Sequence, residues 1–357
     1  MQRASSALAT QPVKSAKTIN WKPWAGLAIS ALFVCLAFRE VDVARIWTVI
    51  RSADPLLILL ITPVTLFQYV IRTWRWGLLL EPVKKTGFLN RLSAVLLGFA
   101  ANFVLPARLG ELVRANALGQ TEKMSGSSTF GTIVVERLFD GFTLLLILLI
   151  GLLGTTFPGK WQSISGSLRA TGYLLFLSYI LITIFLVGFK YKTRFFLSLL
   201  DRLLFFFPSR IRARLIGIIR NFSLGLVLLK NPSKWGQAVF YSLLLWFSAL
   251  YQIEVTARSI GLDLPFIAVF IILSMATFGV MIPSAPGFIG TFHLSVQYGF
   301  IFYGTGKEEA LSAAILWHAA IFFPTVLCGL ISFLSLQMSR GNVFRESALL
   351  KKQSIFR

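Results

Sequence analysis

Leu105-Pro106-Ala107-Arg108-Leu109-Gly110-Glu111 interrupts one apolar stretch of this 357-residue chain, and Ala285-Pro286-Gly287-Phe288-Ile289-Gly290-Thr291 interrupts another. Each contains Pro, then three residues, then Gly. Pro106 and Pro286 stand 180 residues apart, as do Gly110 and Gly290. The same shift carries the apolar run Pro55–Ile71 onto Trp235–Tyr251, and the run Gly131–Gly154 onto Leu311–Leu334. Proline in a helix interior removes a backbone donor and clashes with the preceding turn, and glycine admits backbone angles that other residues avoid. A matching break in two halves of an apolar chain is the pattern of two structural repeats, each a helix, a broken helical hairpin and a helix.

The composition is that of an integral membrane protein. Hydrophobic residues make up 56% of the chain, charged residues only 14%, and the mean hydropathy is +0.74. A net charge of +21 invites a nucleic-acid reading. The Lys and Arg residues, however, lie between apolar runs, where anionic lipid headgroups and the positive-inside bias account for them. Nucleic acid is therefore not an expected partner. Cys35 and Cys328 both sit in apolar spans without metal-ligand spacing. No metal and no cofactor are expected.

In chain order, residues 1–22 read as a polar, basic cytoplasmic tail that is not a signal peptide. A single membrane domain is expected over 23–338. Trp24–Phe38 is a short first span, and 39–54 an amphipathic outer-surface helix. Pro55–Ile71 is the second span, followed by Arg72-Thr73-Trp74-Arg75-Trp76, read as an aromatic-basic headgroup cluster. Residues 92–105 and the stretch after Pro106 form the first re-entrant hairpin, and such irregular backbone within a bilayer must line a cavity or lie within protein. Gly131–Gly154 and Gly166–Gly188 contain further spans. Residues 190–234 hold ten Lys or Arg against one acid and read as a basic amphipathic linker on the cytoplasmic face. Gly236–Ala257 is a span, the second hairpin follows, and Ala310–Leu336 is the last span before a basic tail at 339–357. Repeat one covers about 55–155 and repeat two about 235–336.

Six full spans, two hairpins and two cytoplasmic termini place 27 of the 35 Lys and Arg inside and seven outside, with Arg137 within a span. Under this topology the span from Pro55 runs inward and that from Trp235 outward. The expected fold is thus an all-α polytopic helical bundle with two inverted repeats, each containing a Pro/Gly-broken re-entrant hairpin. The structural breaks are Pro106, Gly110, Pro286, Gly287 and Gly290.

Ionisable residues inside a membrane face a cavity or a partner. Glu136 and Asp140, four apart, share one helical face, and Arg137 can pair with Asp140. Arg108, Glu111 and Arg114 form a similar triplet on the first hairpin. Together these six carry three positive and three negative charges, which requires the hairpin and the span from Gly131 to touch. They are either structural ion pairs or a site at which arginine holds an anionic headgroup, guanidinium matching phosphate in geometry. Glu254, His293 and His318 are a second candidate set, on the outer side, and the residues on which a membrane-embedded transferase would draw for its base. No Walker motif, paired Cys, His-x-x-x-His or nucleophile elbow occurs, so ATPase, metal and hydrolytic chemistry are not expected.

The run Asn102-Phe103-Val104-Leu105-Pro106-Ala107-Arg108-Leu109-Gly110-Glu111-Leu112-Val113-Arg114 is followed by Glu136-Arg137-Leu138-Phe139-Asp140. Pro283-Ser284-Ala285-Pro286-Gly287-Phe288-Ile289-Gly290-Thr291-Phe292-His293 comes later. In this order they resemble the flippase-like family, also called the lysylphosphatidylglycerol synthase transmembrane region, over about Trp21 to Met338. The resemblance adds Asn102 to the candidates. It implies a bacterial or archaeal inner-membrane protein that moves a phospholipid or lipid-linked molecule between leaflets, with anionic lipid headgroups as partners and a lipid- or glycan-synthesis enzyme as a further one. Bifunctional members of that family carry a soluble aminoacyl-transferase domain after the membrane part. This chain ends about twenty residues past its last span, so lysyl transfer is not expected. Many members have a second Gly and then a Glu in the later motif, where this chain has Phe288 and His293, and a headgroup preference does not carry over. The alternatives are the transferase named above and a non-transporting partner of a lipid-synthesis enzyme.

The topology predicts that single cysteines at Thr86, Gly217 and Ser347 are labelled only from the cytoplasm, and those at Gly159 and Lys307 only from outside, in a background without Cys35 and Cys328. Labelling of position 217 from outside intact cells would exclude an inverted arrangement.

Overall fold

A computed structural model describes residues 22–105, 109–156, 162–163, 165–226 and 234–355, with backbone alone at 22–25 and 337–355. The described residues form helices joined by turns and loops, without strands. The helices are α1 (Lys22–Ala37), α2 (Val43–Ser52), α3 (Pro55–Leu80), α4 (Phe88–Val104), α5 (Gly110–Thr121), α6 (Gly126–Gly154), α7 (Ser165–Tyr191), α8 (Thr193–Leu203), α9 (Ser209–Gly225), α10 (Trp235–Ser259), α11 (Ala268–Met281), α12 (Thr291–Phe302) and α13 (Lys307–Ile355). Short acidic side chains start two of them. Asp42 accepts from the Ala44 N–H at 2.8 Å, and Asp54 from the Leu56 N–H at 2.8 Å, the latter with Pro55 at the first helical position.

Among the described residues, four helices are long and apolar enough to cross a bilayer: Pro55–Leu80, Ser165–Tyr191, Trp235–Ser259 and Lys307–Leu336. The six full spans expected from sequence are thus reduced by two on this criterion. α1 has only 16 residues, and the 29-residue α6 carries Glu136, Arg137 and Asp140 in its middle. The hairpin arms are shorter still. α4 and α5 have 17 and 12 residues, and α11 and α12 have 14 and 12. At ~1.5 Å per residue these reach roughly 18–26 Å against a hydrocarbon core of ~30 Å.

The two breaks are built differently. At the first, Pro106, Ala107 and Arg108 lie outside the described residues. Asn102 reaches across it, its Oδ1 accepting from the Gly110 N–H at 2.8 Å and satisfying a donor at the start of α5. A Cβ on Gly110 would overlap the Gly98 carbonyl oxygen, so α4 and α5 pack backbone to backbone here. At the second break the chain turns through left-handed backbone, with φ of 77° at Gly287, 55° at Phe288 and 91° at Gly290. α1 seats this turn. Ser30 Oγ accepts from the Ala285 N–H at 2.8 Å, and the Ser30 carbonyl oxygen would lie 2.6 Å from a Cβ at position 290. The tips of the hairpins meet through Phe103 and Phe288, with ring centroids 5.6 Å apart, and Phe322 of α13 closes on Phe103 at 5.3 Å.

α3 and α10 lie side by side and antiparallel. At one end the Asp54 N–H donates to the Ser259 carbonyl at 2.7 Å, and at the other Lys234 pairs with Glu81. The helix starts repeat with the sequence shift. Pro55, Phe88, Gly110 and Gly126 open α3 to α6, and Trp235, Ala268, Thr291 and Lys307 open α10 to α13, each within one residue of 180 further on. The apolar interior divides likewise, into one cluster drawn mainly from α10–α13 and another mainly from α3–α6.

The basic linker is only partly a surface element. α8 buries nothing and leaves Phe195, Leu199 and Leu203 exposed, suiting an interfacial helix. α9 instead docks its end on α6, where a Cβ on Gly131 or Gly225 would collide with the other helix's backbone. The expected headgroup cluster after Ile71 is corrected more sharply. α3 continues to Leu80, and Arg75 and Trp76 are wholly buried.

Gly261 and Gly290 both have positive φ, but Gly261 faces open space. Gly261→Ala should cost about 1–2 kcal/mol of backbone strain alone. Gly290→Ala adds the clash with Ser30 and should lower the thermal midpoint in detergent well beyond that. Equal midpoints would remove the close approach of α1 to the second break.

Candidate functional site

Two helices deliver acids into the apolar interior, and three deliver the arginines that neutralise them. On α6, Glu136 and Asp140 lie one turn apart and are buried. From α5, Arg114 donates both terminal nitrogens to Glu136, Nη1 to Oε1 at 2.9 Å and Nη2 to Oε2 at 2.8 Å. Its guanidinium carbon also lies 3.8 Å from the centroid of the Trp76 ring, a cation–π contact in a desolvated site. Trp76 is fixed in turn by its Nε1–H, which donates to Thr132 Oγ1 at 2.9 Å.

Arg75 of α3 joins the two acids to the other half of the molecule. Its Nη1 donates to Asp140 Oδ1 at 2.5 Å and to Ser242 Oγ of α10 at 2.7 Å, its Nη2 donates to Asp140 Oδ2 at 3.0 Å, and Glu136 Oε1 lies 3.3 Å away. Arg137 is the most accessible arginine of the set, with 35% of its side chain exposed, and it contacts Asp140, Glu111 and Glu136 at 3.2–3.5 Å. Glu111 thereby connects the first hairpin to α6 a second time.

Of the six inner candidates, the structure brings together Glu111, Arg114, Glu136, Arg137 and Asp140. Arg108 lies outside the described residues. Asn102 acts on the break itself, through Gly110. The sequence alone suggests the headgroup layer for Arg72 and Arg75, but no proline interrupts α3 between Ile71 and Leu80. The continuing helix places both within reach of Asp140. Among described residues the cluster therefore holds four arginines, at 72, 75, 114 and 137, against three acids, at 111, 136 and 140.

Arg72 is the least well paired. Its Nη1 lies 3.8 Å from Asp140 Oδ2, beyond hydrogen-bond distance, and has no hydrogen-bond partner. The guanidinium stacks on the Phe99 ring, 4.7 Å from its centroid. Arg72 is also among the residues lining a cavity of about 210 Å³ between α3, α4, α10, α11, α12 and α13. Thr65, Gln68, Tyr69 and Arg72 follow helical spacing along the α3 wall, with Gln252 opposite on α10. Tyr69 and Thr325 hydroxyls are 2.6 Å apart, and Gln252 Nε2 donates to Thr65 Oγ1 at 2.9 Å. Phe99, Phe103 and Phe292 supply the apolar part of the lining.

The second candidate set is not assembled as a triad. His293 and His318 have ring centroids 4.7 Å apart, and His318 Nε2–H donates to the Gly287 carbonyl at 2.8 Å. Glu254 instead pairs with Arg258 on its own helix at 2.6 Å, and no hydrogen bond or ion pair joins it to either histidine. His318 thus braces the second break. No group of three or more His, Cys, Asp or Glu suited to a metal ion occurs among the described residues.

Comparison with known proteins matches residues 24–329 to the model of the lysylphosphatidylglycerol synthase TM region. The chain belongs to that family. A UPF0104 membrane protein of Methanothermobacter thermautotrophicus is 23% identical over 317 residues, covering 86% of this chain and 88% of that protein. The protein named glycosyltransferase AglD of Haloferax volcanii is 25% identical over 350 residues, covering 91% of this chain but 56% of AglD. The chain thus spans little more than half of that relative. No solved structure matches. The family region takes in both breaks, the charge cluster and the cavity.

Glu136→Gln should destabilise the protein by about 3–5 kcal/mol, because it leaves Arg114 and Arg75 buried and underpaired. Arg114→Met with Glu136→Met should recover most of that loss in a thermal-melt comparison. Additive losses in the double variant would show that the pair is not energetically coupled.

Proposed function

We propose that this protein moves a phospholipid or lipid-linked molecule between the leaflets of the cell's inner membrane, with both termini cytoplasmic. The observation that carries the reading is the cavity between α3 and α10, walled by both halves of the chain and holding an underpaired arginine. A headgroup crossing a bilayer needs polar surface at the midplane while its tails stay in lipid. The exposed apolar belt around α7 and α8 suits lipid contact on the outside of the same bundle.

The matching helix starts, the antiparallel α3–α10 pair and the two short-armed hairpins support an inverted-repeat transporter, in which one half rocks against the other around a central site. On this reading the hairpin tips, in contact through Phe103 and Phe288, form a seal that must part during each cycle. Anionic headgroups are the preferred cargo, because, among the described residues, the one charged residue lining the cavity is Arg72. The candidate contacts are Arg114, Arg137 and the other members of the inner cluster.

A second reading is favoured by the name of the relative AglD, a glycosyltransferase. In it the chain is the membrane partner of a lipid- or glycan-synthesis enzyme, or itself a transferase drawing on His293 and His318.

Reconstitution into liposomes with tail-labelled phosphatidylglycerol, followed by chemical quenching of the outer leaflet, decides between them. Protein-dependent loss of inner-leaflet signal is expected. Cysteines at Phe103 and Phe288, joined by a short cleavable cross-linker in a background without Cys35 and Cys328, should stop it, and cleavage should restore it. Movement undiminished by the cross-link would overturn rocking at the tips. No movement of any phospholipid would favour the partner reading.

A further inference from the structure

We propose that the α3–α10 cavity binds the phosphate group of a membrane lipid as a monoanionic phosphodiester, with Arg72 as its principal ligand and Gln252 as the neutral counterpart across the cavity. The assignment deepens the lipid-translocation reading and rests on it for the lipid as source of the phosphate.

Three observations converge on Arg72. The first is geometric. Its side chain is only 13% exposed, Nη1 makes no hydrogen bond, and the residue lines the cavity. Stacking on Phe99, which lines the same cavity, holds the guanidinium plane. The second is electrostatic. Asp140, its nearest acid, already accepts from Arg75 and Arg137, and the described cluster keeps one positive charge in excess. A buried charge that shares its only nearby acid with two other arginines is costly, and one phosphodiester supplies the single negative charge needed. The third is a second orphan donor. Trp317, 4% exposed, lines the same cavity, and its Nε1–H has no partner. A phosphate oxygen accepts from such a group, whereas a purely apolar cargo does not.

The repeat relation adds a polarity to the site. Position 72 shifted by 180 is position 252, and the arginine of α3 is therefore matched on α10 by glutamine. Both line the cavity. A headgroup phosphate meets charge from one repeat and only a neutral amide from the other. Gln252 is already engaged with Thr65, so it offers weaker competition for the anion. The phosphate is thus held toward the α3 wall.

Native mass spectrometry of the full chain in neutral detergent tests this without requiring transport. The probes are phosphatidylglycerol, a diacylglycerol with the same tails, a polyprenyl diphosphate and inorganic phosphate. Wild-type protein is expected to retain one phosphatidylglycerol about tenfold more tightly than diacylglycerol or more, and inorganic phosphate should not displace it. Arg72→Gln should bring phosphatidylglycerol down to the diacylglycerol level, and Arg72→Lys should keep part of the preference. Gln252→Glu leaves Arg72 in place but adds an anion to the cavity, and should produce the same loss even if Arg72→Gln folds poorly. Undiminished binding in Arg72→Gln or Gln252→Glu would overturn the site. Tighter retention of the diphosphate would overturn the single-charge assignment, and displacement by inorganic phosphate would overturn the lipid as its source. Arg72-dependent binding without movement in liposomes would dismiss translocation while upholding the site.

Discussion

Burying carboxylates in the middle of an apolar helix is tolerable only if their charge is cancelled on the spot, and this constraint organises the first half of the molecule. Glu136 and Asp140, both buried within the protein, cannot be left unpaired. Arg114 must therefore approach from the hairpin and Arg75 from α3, and each arrives with a second attachment. Trp76 stacks under Arg114, and Ser242 accepts from Arg75. The second attachment of Arg75 matters most, because Ser242 belongs to the other half of the chain. The same ionic network that closes α5 onto α6 thereby fixes α3 against α10, and with it the shape of the cavity above Arg72.

The second half solves the equivalent problem without charge. Where the first break is capped by Asn102, the second uses left-handed backbone, a serine from α1 and a histidine from α13. Among the described residues its buried polar side chains are hydroxyls, amides and His318, with no carboxylate or guanidinium, and α11 is among its most buried helices. The two halves thus share helix boundaries while differing in the forces that hold them. That difference leaves Arg72, the one arginine among the described residues that line the central cavity, on its α3 wall.

Much of this was legible in the sequence, for identifiable reasons. The Pro/Gly breaks, the 180-residue shift and the all-helical membrane class follow from backbone chemistry and hydrophobic length, which act locally. The charge count along α5 and α6 required contact between them, and Arg114 does donate to Glu136. Arg72 and Arg75 were misplaced because a basic pair beside tryptophan is also the signature of a membrane interface. Only the tertiary position of Asp140 decides that they are interior. The cavity was not legible at all, since its walls come from six helices distributed over most of the chain. Glu254 is the converse case, an acid near a span end whose partner, Arg258, was four residues away on its own helix.

Gln68 of α3 and Ser248 of α10 hydrogen-bond to each other at 3.1 Å, and they stand 180 residues apart. A position that touches its own equivalent marks the axis of an isologous contact, the kind made by two identical subunits. Under the inverted arrangement, a half-length chain would form this contact only with a copy of itself inserted the opposite way up. Such a chain could carry no net bias of lysine and arginine toward one face, because both orientations would have to be populated. The basic linker from Lys190 to Lys234, which joins the halves, is where that ambivalence ends. In a single chain the residues at the axis are free to diverge, and here they are an amide on one side and a hydroxyl on the other.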